Sequence, residues 1–416
     1  MTSTQDMVRP GECLDLYYYD GETSKKQCFP TTVNTRFVQQ FQGATANTGG
    51  SSVFTIPPQN GIQDIVCQFA LTVASAPAPS SVPSGWGYAL IKQVSFRYGG
   101  SSQYFMSGDQ ILQNALRNQT SRASVNDLLN LGGNSLGAGG GAAVVNGTYT
   151  ANVVLTLPHN IPSGVGKSHP LPSDCLTQQI QVTVELYPTS AIVDTNGAAF
   201  TGFSLTQAQF VVQQVMFNNQ GDALPRRVDL ATNAYAFPAE FVQQKQAIQL
   251  QQTASSQSVV LTGFRSGEVK ALMCWLTAAS DFVTTNNGNK APFKWYKPAA
   301  VTMSYAGEVF ARYDLGLSSL MALINDNKSP AVDVVNTASG NPVAGTFPSE
   351  WIVLPFAQTL KDEDSHYTLV HGKPITNGIV NLDITAPDAG AAYILNVSYI
   401  YNTTLMFSQG TCDYVF

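Results

Sequence analysis

Two tandem copies of an all-β sandwich, with short helices set into loops, are what this chain should fold into, and three features say so. The first is an internal repeat. Phe37-Val38-Gln39-Gln40-x-Gln42 returns as Phe241-Val242-Gln243-Gln244-x-Gln246, an offset of 204 from 37 to 241. Ser52-Val53 and Gly61 return as Ser258-Val259 and Gly267 at an offset of 206, with the aromatic Phe69 answered by Trp275. Val94-x-x-x-Tyr98-x-Gly100 then returns as Val301-x-x-x-Tyr305-x-Gly307 at an offset of 207. The matches keep their order while the offset drifts by three residues, as short loop insertions would make it do. The second feature is length: 416 residues exceed one comfortable core and suit two units of about 200 residues each. The third is composition. Charged residues are only 12% of the chain, about half the usual share, so helix surfaces rich in Glu and Lys are scarce. A large surface so poor in charge also points to broad contacts with other protein.

Residues 1–30 carry Tyr17-Tyr18-Tyr19-Asp20 and no strand pattern, and read as an N-terminal arm that packs onto another surface. From Arg36 the first unit, residues 31–218, shows strand segments at 36–42, 62–75, 88–98, 101–106, 148–157, 178–187 and 205–217. Each combines β-branched or aromatic residues with alternation and is bounded by Gly, Pro, Asn or Ser. The clearest is 176–187, where Ile180, Val182, Val184 and Leu186 should face a core while Gln181, Thr183, Glu185 and Tyr187 face away. Ser124-Val-Asn-Asp127 has capping-box spacing ahead of Leu128, Leu129 and Leu131 and a Gly132-Gly133 stop, which predicts a short helix at 124–131 beside another at 109–117. Patterning pauses over the linker, residues 219–236. The second unit, 237–416, then offers strands at 241–252, 257–263, 267–279, 299–313, 350–358, 365–371, 377–385 and 391–407, with a helical segment at Leu317–Ile324 matching the helices of the first unit. Ala392–Tyr401 is the most hydrophobic strand and should be central in its sheet.

The sequence offers no site for chemistry. His159, His169, His366 and His371 are the only histidines; His366 and His371 lie five apart, off a common strand face, and the neighbouring Asp362, Glu363 and Asp364 read as a solvated turn. There is no His-x-Asp or His-x-Glu pair and no Gly-x-Ser-x-Gly elbow. Gly137–Ala142 lacks the Lys and Ser/Thr of a phosphate-cradling loop. No catalytic, cofactor-binding or metal-ligating residue is therefore assigned, and the chain reads as not an enzyme. A net charge of −6, with Lys25-Lys26 and Arg226-Arg227 as the only adjacent basic pairs, leaves no footprint for electrostatic wrapping of nucleic acid. No run approaches the ~20 apolar residues of a membrane span, and no signal-peptide pattern opens the chain. The sequons at Asn118, Asn146, Asn396 and Asn402 then read as accidents of a Thr/Asn-rich sequence. Six scattered cysteines, Cys13, Cys28, Cys67, Cys175, Cys274 and Cys412, form no CxxC pair. With no staple or ligand cluster, chelator and mild reductant should leave the melting temperature unchanged in parallel thermal scans; a drop of several degrees with either would reveal an ion or a disulfide.

Specific segments carry a family resemblance. Gly87–Gly100 followed by Gly108-Asp109-x-x-Leu112 resembles the first jelly roll of double jelly-roll major capsid proteins. Leu261–Glu268, Trp351–Gln358 and the ending Tyr401–Gly410 resemble the second. The likeness spans about residues 34–416 and is greatest to capsid proteins of virophages and polinton-like viruses. It implies two eight-stranded jelly-roll sandwiches in tandem, a homotrimer presenting six similar wedges, and a virion shell tiled from such trimers with neighbouring capsomers, minor capsid proteins and penton proteins as partners. It implies no direct sequence-specific contact with nucleic acid. The rival reading is a tandem β-sandwich carbohydrate-binding protein, a lectin or adhesin, which would also be duplicated and polar.

Overall fold

A computed structural model describes residues 30–41, 49–58, 61–74, 82, 85–98, 103–117, 122–134, 136, 145–155, 171, 173, 176–189, 202–217, 235–253, 255–265, 267–278, 296, 298–313, 352–356, 373–375, 379–387, 389 and 391–415. Among the described residues the first half contains eight strands: β1 (Pro30–Gln40), β2 (Gly50–Ile56), β3 (Gly61–Val73), β4 (Ile91–Arg97), β5 (Gln103–Ser107), β6 (Gly147–Leu155), β7 (Ile180–Leu186) and β8 (Phe203–Phe217). They form two antiparallel sheets in the orders β1-β8-β3-β6 and β2-β7-β4-β5. First strand pairs with last, and successive strands alternate between the sheets except for β4 and β5, which pair with each other; this is the jelly-roll topology. The helices α1 (Trp86–Leu90), α2 (Gly108–Arg117) and α3 (Arg122–Leu131) lie between them.

The second half repeats the plan. Its strands are β9 (Tyr235–Val242), β10 (Gln246–Gln249), β11 (Gln257–Leu261), β12 (Glu268–Ala278), β13 (Ala300–Tyr305), β14 (Glu308–Tyr313), β15 (Ile352–Pro355), β16 (Lys373–Pro374), β17 (Val380–Thr385), β18 (Tyr393–Ser408) and β19 (Thr411–Val415). One sheet runs β10-β18-β12-β15, with β9 and β19 also on β18 and β16 on β12; the other runs β11-β17-β13-β14. With β9 and β10 together as the first strand, each repeats the order of its counterpart in the first half. Tyr98 and Tyr305 both stand at the joint from fourth to fifth strand, as the repeat requires, and Gly307 takes its turn at φ 86°; Gly100 lies outside the described residues.

Alternation explains the cores. On β7, Ile180, Val182, Val184 and Leu186 are all buried, and on β17 Val380, Leu382 and Ile384 are; each such side chain is worth roughly 1.5–3 kcal/mol. Phe54 of one sheet stacks on Phe210 of the other at 4.2 Å, and Phe41 packs on Phe54 and Phe69 at 4.7 and 5.8 Å. Cys67 and Cys274 are buried free thiols, with burial pushing Cys274 up to about 12, so neither offers a reactive thiolate at neutral pH.

Several sequence expectations need correction. The strand β2 was absent from the expected set, and β1 begins at Pro30, six residues ahead of Arg36. Residues 88–90, expected as strand, belong to the buried helix α1, because the chain turns there from the β3 sheet into β4. The expected strand 241–252 is broken at 243–245, and 299–313 is a hairpin closed by Ala306 and Gly307. The terminal strand β19 was missed. Residues 1–29, the linker centre, segment 365–371 and Leu317–Ile324 lie outside the described residues.

Candidate assembly interface

The two jelly rolls meet along a seam built mainly from α2. A helix of this length on one sandwich should keep a wet face, yet every residue from Gly108 to Ala115 is buried, including Asp109, Gln110, Gln113 and Asn114. One side of α2 packs on α1, β4 and β5. The other meets the second jelly roll. The Gln110 side chain donates through Nε2 to the Gln243 carbonyl and to Ser398 Oγ, each at 2.8 Å, while Ser398 Oγ itself donates to the Gln243 carbonyl at 2.7 Å. Gln110 Oε1 accepts from Ser107 N at 3.1 Å. This amide therefore has both donors and its acceptor used, which is what a buried polar group requires.

Electrostatics reinforce the contact. Asp109 stands in the first turn of α2, where a carboxylate complements the helix dipole. Its Oδ1 accepts from Ser107 Oγ and its Oδ2 from Lys245 Nζ, the latter at 2.6 Å. Lys245 also lies 5.8 Å over the Trp275 ring. The break between β9 and β10 is what frees Gln243 and Lys245 for these bonds.

Below the polar contacts lies an aromatic cluster. Tyr104 of β5 meets Phe241 of β9 edge-on at 5.0 Å, and Tyr414 of β19 packs on Phe241 at 5.3 Å, on Tyr104 at 6.0 Å and on Tyr98 at 6.3 Å. The Arg265 guanidinium sits 4.7 Å from the Phe241 ring, and the Arg265 N–H donates to the Tyr401 hydroxyl at 2.9 Å. Burial holds the Tyr98 and Tyr414 phenols well above the ordinary tyrosine range, so they stay neutral. At a further point the Gly410 carbonyl accepts from Thr177 N at 2.9 Å and Thr177 Oγ1 at 3.1 Å.

The consequence appears as burial. In the second half, Ser398, Ile400, Ala271, Met273 and Val242 on the sheet's outward face are all buried, so β18 and β12 are covered on both sides. Trp275 belongs to that outward face: it pairs with Asn396 and lies under Lys245. The match of Phe69 with Trp275 therefore fails in space, since Phe69 points between the sheets. Register shifts after Ile62 and Val269 change the offset locally, and a slip of one residue moves a side chain to the opposite face.

His159, His169, His366, His371, Asp362 and Asp364 lie outside the described residues, as does Gly137–Ala142. Among the described residues no group of three metal-ligating side chains occurs and no helix is long and apolar enough to cross a membrane. Asn396 and Asn402 are buried in β18, with Asn396 Nδ2 donating to Thr277 Oγ1 at 3.0 Å, so neither sequon can accept a glycan in the folded chain.

Two jelly rolls of one topology joined in a single chain define the double jelly-roll fold, and solved capsid proteins share it along nearly their whole length. The PBCV-1 virus capsid matches with a TM-score of 0.60 at 13% identity, over 92% of this chain and 97% of that one. A chain of the Sputnik virophage matches at 0.54 and 9% identity, over 95% and 91%. The mavirus major capsid protein matches at 0.53 and 13% identity, over 99% and 93%. At these identities the likeness is one of fold. No protein-family model matches the chain, and no curated protein matches it in sequence.

Proposed function

We propose that this chain is a major capsid protein that trimerises into pseudo-hexagonal capsomers and tiles an icosahedral viral shell. The carrying observation is that one chain already docks two like jelly rolls side by side, and the structures that share this arrangement over most of their length are capsid proteins. Three such chains present six similar wedges, so a threefold object fills a hexagonal lattice. The role is structural, with no catalytic step, and the place of action is the virion after assembly inside the host cell. Neighbouring capsomers, minor capsid proteins and penton proteins are the partners, and residues 1–30 serve as an arm beneath the trimer. The carbohydrate-binding alternative gains no support from these neighbours.

Permanent contacts of this kind commonly bury more than ~2,000 Å², and folding coupled to association makes stability depend on concentration. Sedimentation at micromolar concentration with negative-stain imaging should show a trimer of pseudo-sixfold outline. A well-folded chain that stays at 44.5 kDa and binds a glycan would sink the capsid reading.

A further inference from the structure

We propose that Lys270 and Asn402 join spontaneously in the folded chain as a side-chain amide, with Glu240 as the catalytic acid and base. The bond ties β12 to β18 within the second jelly roll and releases the Asn402 side-chain nitrogen. It stands or falls independently of the capsid reading.

Strand pairing brings the three groups together. Glu240 on β9, Asn402 on β18 and Glu268 on β12 are successive partners in one rung, so Glu240 stands directly beside Asn402 on the same face of the sheet. Side chains opposed in this way have Cβ atoms about 4.5–5.5 Å apart. The next rung on that face is Val242, Ile400 and Ala271. Val269 pairs with Tyr401 and Ala271 with Ile400, which leaves Lys270 as the extra residue of a bulge, a feature that re-aims a side chain. The Lys270 ammonium donates to Glu240 Oε1 on the far side of β18. To reach it the side chain crosses β18 between Asn402 and Ile400, and its nitrogen ends beside the Asn402 carboxamide.

The surroundings suit acyl transfer. Glu240, Lys270 and Asn402 are only 7%, 5% and 8% exposed, and the Asn402 carboxamide oxygen is closed off from solvent. Val242, Ala271 and Ile400 are buried beside them. A buried ion pair adds little stability over apolar side chains of similar volume, so packing alone does not call for these residues. An amine, a carboxylate that can take its proton and a carboxamide, held together away from water, are the parts of a nucleophilic site.

An ammonium has no lone pair, so Lys270 must first pass a proton along its hydrogen bond to Glu240. The neutral amine then attacks Asn402 Cγ, forming the new C–N bond. The tetrahedral carbon collapses with cleavage of its bond to Nδ2. Of the three ammonium protons, one stays on the amide nitrogen and two reach the departing nitrogen through Glu240. Nitrogen thus leaves as ammonium, and Glu240 ends as the carboxylate it began. No oxidant or cofactor is consumed. Because the proton must move first, the bond closes after folding, and freshly folded protein holds the ion pair. The product closes the chain between residues 270 and 402 with a staple that neither reductant nor chelator removes, and closing a long loop restricts the unfolded chain.

The test is intact-mass spectrometry of the full-length chain, followed over days at neutral pH, with peptide mapping of each sample. Wild type should become lighter by one ammonia, and digestion should yield a peptide containing Lys270 joined to one containing Asn402. Lys270→Arg keeps a cation beside Glu240 and should hold its sequence mass throughout. Glu240→Gln, with circular dichroism matching wild type, should slow the loss by about 10²-fold or more, the usual share of general acid–base catalysis. A folded wild-type chain that never departs from its sequence mass overturns the proposal. So does a loss of ammonia without joined peptides, which marks cyclisation at an Asn-Gly step such as Asn146-Gly147. A folded Glu240→Gln chain that closes at the wild-type rate overturns the role of Glu240. If neither variant folds, the wild-type time course and its peptide map still decide.

Discussion

Replacing Lys270 with alanine should destabilise the folded protein by about 3–5 kcal/mol, as removal of one partner from a buried ion pair commonly does. Lys270 on β12 and Glu240 on β9 are both buried, and the ammonium donates to Glu240 Oε1 across the strand β18 that lies between them. Without the Lys270 charge, the Glu240 carboxylate would remain in an interior of low polarity, and the loss of the aliphatic stem would add a packing defect. The double variant Lys270→Met/Glu240→Leu should recover most of that loss, since well-packed apolar side chains can replace a buried pair at little cost. Denaturant midpoints for the single and double variants, compared at one protein concentration, check both statements. A Lys270→Ala midpoint equal to wild type would show that this pair is not held out of water.

Gly108→Val should be comparably damaging, through geometry alone. A Cβ on Gly108 would overlap the Ile91 carbonyl oxygen and lie 2.9 Å from the Tyr88 carbonyl oxygen, and both obstacles are backbone that cannot rotate aside. The start of α2 must then move. Overpacking of this kind costs roughly 1–3 kcal/mol, and displacement of Asp109 and Gln110 forfeits the Lys245, Gln243 and Ser398 bonds, at about 1 kcal/mol for a neutral hydrogen bond and about 1.5–3 kcal/mol for a charged one. Together these come to roughly 4.5–8 kcal/mol if all three bonds are lost, with the two halves losing their common unfolding transition. Calorimetry that shows one transition at the wild-type temperature would contradict it.

The architecture was legible where side chains alternate or where glycines stop a pattern. Ile180 to Leu186 could be assigned to a core from spacing alone, and the helices expected at 109–117 and 124–131 correspond to α2 and α3. The repeat of Phe37-Val38-Gln39-Gln40 located the first strand of each jelly roll. What stayed hidden was the seam, because it depends on covering rather than on local pattern. Asp109, Gln110, Gln113 and Asn114 look like the wet side of a helix in sequence, and only the second jelly roll makes them interior. Trp275 was misassigned for a related reason: a register shift is invisible in residue spacing and reverses which face a side chain occupies. One signal could have been read, since a Gln-rich motif kept at the start of both units is more than a strand alone requires.

The pairing of first strand with last in each jelly roll has a consequence for how the protein is made. The partner of β1 is β8, and the strands β9 and β10 both wait for β18. These are the longest sequence separations within each unit, the kind of closure that slows folding. During synthesis the first unit can seal once β8 has emerged, presenting α2 as a finished surface. The second unit stays open until β18 has emerged, with the apolar stretch Tyr393–Tyr401 arriving after the strands it joins. That interval is when an unpaired sheet is open to misassociation, and a first unit already folded shortens it by offering the nascent β18 sheet a place to settle.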